Sequence, residues 1–144
     1  MVKAILFLAV LLAPALSATG AAPGASSFVV IVNAANRVAL TRDEVAGIFM
    51  KRITRWKDDG QAVVAIDELP ASPVREEFSR AVLRRDVDAM EAYWQQQIFS
   101  GRDVPPVQKE TDAQIVAFVR RNRGAIGYVS AGAALDGVRV VIGR

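Results

Sequence analysis

A chain of 144 residues, 52% of them apolar, has the length of one domain and enough apolar material for one core. It contains no histidine and no cysteine, which together exclude zinc finger and ribbon sites, thiol nucleophiles, disulfides and Ser-His-Asp triads. Eighteen bases against fifteen acids give a formal charge of +3, and the signs alternate, as in Arg42-Asp43-Glu44 and Arg75-Glu76-Glu77, so they read as solvated helix faces and not as a nucleic-acid stripe.

Lys3 is followed by an apolar run from Ala4 to Leu12, then Pro14 and the small residues Ala15, Ser17 and Ala18. A basic start, a short apolar stretch and a small-residue cleavage region predict a signal peptide over residues 1–18, and hence a periplasmic protein. The apolar run falls well short of the roughly 20 residues that a membrane span needs. With no cysteine at the junction, a lipid anchor on cysteine is not expected. Residues 19–27, rich in Gly, Ala and Ser, read as a flexible leader, and residues 28–144 as the folded domain.

Within that domain, the β-branched run Phe28 to Asn33 predicts a buried strand. Thr41-Arg-Asp-Glu44 is a capping box, and the helix behind it places Val45, Ile48 and Phe49 on one face. A turn through Lys57-Asp-Asp-Gly60 leads to a second strand, Ala62 to Ile66. Ser72-Pro73 starts a helix with Ser as cap and Pro at the first helical position; Val74, Phe78 and Val82 line it. A third helix opens at Asp88; Trp94 and Ile98 read as core residues, with a contact surface as the rival because the amides of Trp94-Gln-Gln-Gln97 suit an interface better than a core. After a loop from Gly101 to Pro106, Thr111-Asp-Ala-Gln114 is a second capping box, with Ile115, Phe118 and Val119 behind it. Two strands, Ala125 to Val129 and Val138 to Ile142, close the chain. Strands separated by helices predict an α/β fold with a mainly parallel sheet flanked by helices. Ligands of such sheets sit where strand ends meet helix N-termini.

Three segments resemble the phosphate-binding protein of the bacterial ABC phosphate importer, within the type 2 periplasmic binding protein superfamily. They are Val30-Ile-Val-Asn33 with Asn36, Leu40-Thr41, Glu44-Val45, Ile48-Phe49 and Arg52-Ile-Thr-x-Trp56; Ser72-x-x-Arg75-x-x-Phe78; and Gly124-Ala-Ile-Gly-Tyr-Val-Ser130. The resemblance runs in order from residue 28 to 142 and implies a single lobe of that two-lobed fold. It also implies a solute-binding-type role, with phosphate or a related oxyanion as ligand and Ser72, Val74 and Arg75 as its contacts. A transporter or sensor partner would then be the link to the membrane. The loop departs from the family pattern: Glu68 and Pro70 stand where the family has Arg and Asp, and Pro73 and Val74 stand for Gly and Thr. Pro73 has no N–H to donate, and a carboxylate at Glu68 repels a dianion.

On the residues alone, the reading preferred is Ser72 as a helix cap and Arg75 as a surface ion-pair partner. A one-lobed site adding about 1 kcal/mol of helix dipole to one or two charge-assisted hydrogen bonds reaches only millimolar affinity. The second reading is therefore an accessory or interaction module that kept the fold and lost the ligand, docked on a copy of itself or on another periplasmic protein through an open face near Ser72. No catalytic residue, metal site or cofactor is expected. The pairs Asp58-Asp59 and Asp67-Glu68 read as solvated acids, and Lys51, Arg52, Arg55 and Lys57 as a solvated basic turn or a contact for an acidic partner or anionic lipid headgroups.

Overall fold

The structure, a computed structural model, describes residues 27–143, so the expected signal peptide and all of the leader but Ser27 lie outside the described residues. Ten elements follow one another: β1 (Phe28–Asn33), α1 (Arg42–Phe49), β2 (Val64–Glu68), α2 (Pro73–Phe78), a π-helical turn (Ser79–Leu83), α3 (Val87–Phe99), β3 (Val107–Lys109), α4 (Asp112–Arg121), β4 (Ala125–Ser130) and β5 (Val138–Ile142). They build a five-stranded sheet in the order β3-β2-β4-β1-β5. Strands β2 to β5 share one direction, and β1 runs against them between β4 and β5. The expected mainly parallel α/β sheet is what forms.

Every residue of β1 is buried, because alternate side chains feed two cores. Phe28, Val30 and Val32 join Ile126 and Tyr128 under α1 and α2, while Val29 and Ile31 join Ile66 and Val129 under α4. Asn33 ends the strand by donating its amide to the Val119 and Arg120 carbonyls at the end of α4, at 3.0 and 2.9 Å. The Thr41 capping box forms in full. At Thr111 only the hydroxyl half forms, since the Gln114 amide oxygen accepts from Glu110 N–H instead of from the cap.

Four elements differ from expectation. The strand expected at Ala62 begins at Val64, because Ala62 pairs with Arg55 in a lone bridge. The helix expected to run on to Val82 widens into a π turn after Phe78. β3 has no counterpart in the sequence reading: its three residues are largely exposed and belong to the sheet through backbone pairing with β2 alone. In α3, Trp94 is buried against Met50 and Met90, but Ile98 is half exposed and Phe99 is 90% exposed, so the apolar end of that helix faces solvent.

Candidate functional site

The C-terminal ends of β2 and β4 and the starts of α2 and α4 meet at one end of the sheet. Asp67 and Glu68, the last residues of β2, are both buried. This corrects their reading as solvated acids: the strand extends two residues further than expected and carries them into the interior. Arg75 is also buried, at 2% exposure, and so is not the surface partner expected on the residues alone. Its Nη1 donates to Asp67 Oδ2 at 2.8 Å and to the Glu68 carbonyl at 2.6 Å. The Tyr128 hydroxyl donates to the other Asp67 oxygen, which also accepts from Glu68 N–H at 2.9 Å. The Tyr128 ring stacks on Phe78, with centroids 3.8 Å apart.

Ser72 caps α2, its Oγ accepting from the N–H groups of Val74 at 3.2 Å and Arg75 at 3.4 Å. The same hydroxyl donates to Glu68 Oε2. The Glu68 carboxylate therefore stands against the Ser72 hydroxyl at the mouth of the loop. Its second oxygen, Oε1, is buried without a hydrogen-bond donor, and Arg75 Nε–H is buried without an acceptor. Burial pushes the Glu68 carboxyl up to about 7; the Ser72 hydroxyl opposes that rise, and Asp112 and Asp67 add to it. Asp67 is also raised by burial, against the pull of Arg75, Tyr128 and the Glu68 N–H. The Tyr128 phenol is raised by burial and by Asp67.

Of the three residues inferred as ligand contacts, Ser72 and Val74 are half-buried at the loop, and Arg75 is turned inward beneath it. An open groove of about 540 Å³ lies beside Ser72, lined by Pro70, Ala71, Glu76, Arg80 and the Asp86–Asp88 segment. The sequence reading did not find Asp67, Tyr128 or Asp112 as partners at this point. Tyr128 had a signal, since it sits in the Gly124–Ser130 match. The Asp67–Arg75 pair had none, because it depends on where β2 ends.

Other matched residues also serve the scaffold. Trp56 Nε1 donates to the Gly124 carbonyl at 3.1 Å, linking the segment after α1 to β4. A Cβ at Gly124 would lie 2.4 Å from the Ala62 carbonyl oxygen, so this strand entry needs glycine. Lys51, Arg52, Arg55 and Lys57 form the solvated turn expected, with Lys57 bonded to Glu44 at 3.1 Å. Among the described residues no group of three or more acids is placed to hold a metal, and no helix is long and apolar enough to cross a membrane.

The fold is that of a binding-protein-type α/β domain, with Ser72 capping α2 where the strand ends meet it. Residues 23–141 match the family model of the PBP superfamily domain, and the chain belongs to that family. An ABC-type phosphate transport receptor from Vibrio cholerae superposes with a TM-score of 0.63 at 22% identity, over 80% of this chain and 45% of that one. A phosphate ABC transporter substrate-binding protein with bound phosphate from Clostridium perfringens gives 0.63 at 23% identity, over 80% and 44%. PstS from Borrelia burgdorferi gives 0.55 at 12% identity, over 80% and 46%. The chain thus has the fold of phosphate transporter substrate-binding proteins and spans less than half their length. No curated protein matches it in sequence.

Proposed function

We propose that this chain is an exported, one-lobed binding-protein-type domain of an oxyanion transport or sensing system, acting by docking on a partner and not by scavenging a free anion. The observation that carries this reading is the engagement of the ligand loop by the chain itself. Ser72 donates to Glu68, and Arg75 is spent on Asp67 and the Glu68 carbonyl. A free anion entering here meets a carboxylate and must displace it. The exposed side chains Ile98, Phe99 and Val104 support docking, since apolar groups left open at one end of a helix favour a partner surface. The partner is a second copy or another periplasmic protein.

Calorimetry with phosphate, sulfate and chloride at about pH 8 tests the first half of the reading. Heat at the chloride level is expected, and a micromolar phosphate constant would overturn it. Sedimentation across a range of concentrations, with crosslinking in the periplasm, tests the second half. A strict monomer with nothing crosslinked would leave docking without support.

A second reading keeps weak oxyanion binding at Ser72, Val74 and Arg75. It is favoured by the Glu68 carboxyl, which is neutral in a growing fraction of molecules as the pH falls below about 7. Sulfate remains a dianion over that range, so its affinity would rise on acidification, from nothing detectable to no tighter than about millimolar.

A further inference from the structure

We propose that a recess at the end of the sheet opposite Ser72 binds a small zwitterion, whose anionic group is taken by Arg37 and Arg123 and whose ammonium is taken by Asp58 and Asp59. The C-terminal end of β1 lies there beside the N-terminal ends of β2 and β4, because β1 runs antiparallel to β4. Three segments meet around it: residues 35–38 after β1, the turn from Trp56 to Gln61 before β2, and Arg123 before β4. Together they enclose about 150 Å³. Sites for drug-sized molecules span roughly 300–1,000 Å³, so the ligand that fits here has only a few heavy atoms.

The walls are fixed without using the charged groups. Ala35 N–H donates to Asn33 Oδ1 and Val38 N–H to Asn36 Oδ1, both at 2.9 Å. Arg139 of β5 donates to the Asn36 and Val38 carbonyls, both at 2.7 Å. In the turn, Trp56 N–H donates to the Gln61 carbonyl and Gly60 N–H to the Trp56 carbonyl. The Trp56 indole is anchored on the Gly124 carbonyl, and Trp56 and Val38, each 4% exposed, form the apolar part of the recess. Arg37, Arg123, Asp58 and Asp59 are exposed, and none of them belongs to an ion pair among the described residues. Asp59 alone spends a carboxylate oxygen, on Gln61 N–H at 2.9 Å. Two cations and two carboxylates thus line one recess, held apart because the cations and the acids sit on different segments. A ligand carrying both charges bridges what the protein leaves unbridged. An anion alone is drawn by the arginines and repelled by the aspartates, and a cation alone meets the reverse. These groups are solvated, so each ion pair adds little and the expected affinity is about millimolar. The recess lies apart from the Ser72 loop, and the inference does not depend on the docking reading.

Nuclear magnetic resonance titration of the mature protein at neutral pH, followed at the amides of Arg37, Asp58, Gln61 and Gly124, tests the site. The probes are glycine, β-alanine and γ-aminobutyrate, which set the two charges at increasing separation. Acetate and methylammonium, the separate halves, are the controls at matched ionic strength. Saturable shifts are expected for at least one zwitterion, with affinity about fivefold or more above that of either half. Arg37→Gln and Asp58→Asn, both at exposed positions, are each expected to weaken that zwitterion by about threefold or more. Shifts that do not saturate with any of the three up to about 50 mM, well beyond millimolar affinity, would overturn the proposal. A half that binds as tightly as the best zwitterion would overturn it in favour of a simple anion or cation site. Affinity unchanged in both variants would overturn it as well.

Discussion

Arg75 is the only charged side chain that ties α2 to the end of β2 among the ion pairs of the described residues, and both ends of that tie are buried. Replacing it with alanine leaves Asp67 buried with Tyr128 and a backbone N–H but no counter-charge, at an expected cost of about 3–5 kcal/mol in denaturant unfolding. Lysine should recover only part of this, because its shorter side chain must bring an ammonium to the place of Nη1, the one nitrogen that bonds both carboxylate and carbonyl. An effect within ±0.5 kcal/mol, the surface-substitution range, would mean that Arg75 is solvated.

Glu68 sets a pH dependence of definite sign. Its folded value near 7 lies above the ordinary 4.5, so between those values the native chain holds more protons than the unfolded one. The stability it contributes is fully present below about 4.5 and is lost as the pH rises through about 7. Glu44, lowered by the Thr41 N–H and by Lys57, acts oppositely: its contribution is present above 4.5 and lost as the pH falls. The prediction is a shallow stability maximum on the acid side of neutral, whose alkaline limb flattens in Glu68→Gln. Ser72 as a helix cap was legible in the Ser-Pro pair. The Asp67–Arg75 pair was not, because it depends on where β2 ends.

The elements read most clearly were those with a local signal: the β-branched run of β1, the Thr41 box of α1 and the Ser-Pro start of α2. β3 was illegible because three largely exposed residues carry no burial pattern, and what makes them a strand is the neighbouring edge of β2. The π turn was illegible because Val82 is buried just as a continuing α-helix would bury it. The Gly124–Ser130 match has a structural reason in β4. Gly124 accepts from Trp56 and from Val64 N–H, Gly127 lies beneath Ile115 of α4, and Tyr128 reaches Asp67. Gly124→Ala would drive a methyl into the Ala62 carbonyl and is expected to cost about 1–3 kcal/mol, with a change in Trp56 fluorescence. Gly132→Ala, which meets nothing within 4 Å, is the control and should be near neutral. Equal effects at the two positions would contradict the close approach at Gly124.

For the whole molecule, the family was legible because Trp56, Arg75, Phe78, Gly124 and Tyr128 hold the fold together whether or not a ligand is bound. At the loop proposed for ligand binding, the chain supplies its own carboxylate, Glu68, to the Ser72 hydroxyl. If residues 1–18 are a signal peptide, intact mass of periplasmic protein should place the mature N-terminus between Ala18 and Pro23; Met1 retained on cytoplasmic protein would contradict export. The central claim is that the chain itself closes the Ser72 loop. Its most direct test is nuclear magnetic resonance of the backbone N–H groups of Ser72, Val74 and Arg75 during phosphate titration at about pH 8, against chloride at equal ionic strength. The account predicts that the two titrations coincide up to tens of millimolar, an order set by millimolar-scale affinities. Saturable phosphate-specific shifts at those three amides in the micromolar range would show an open, functional phosphate site and contradict it.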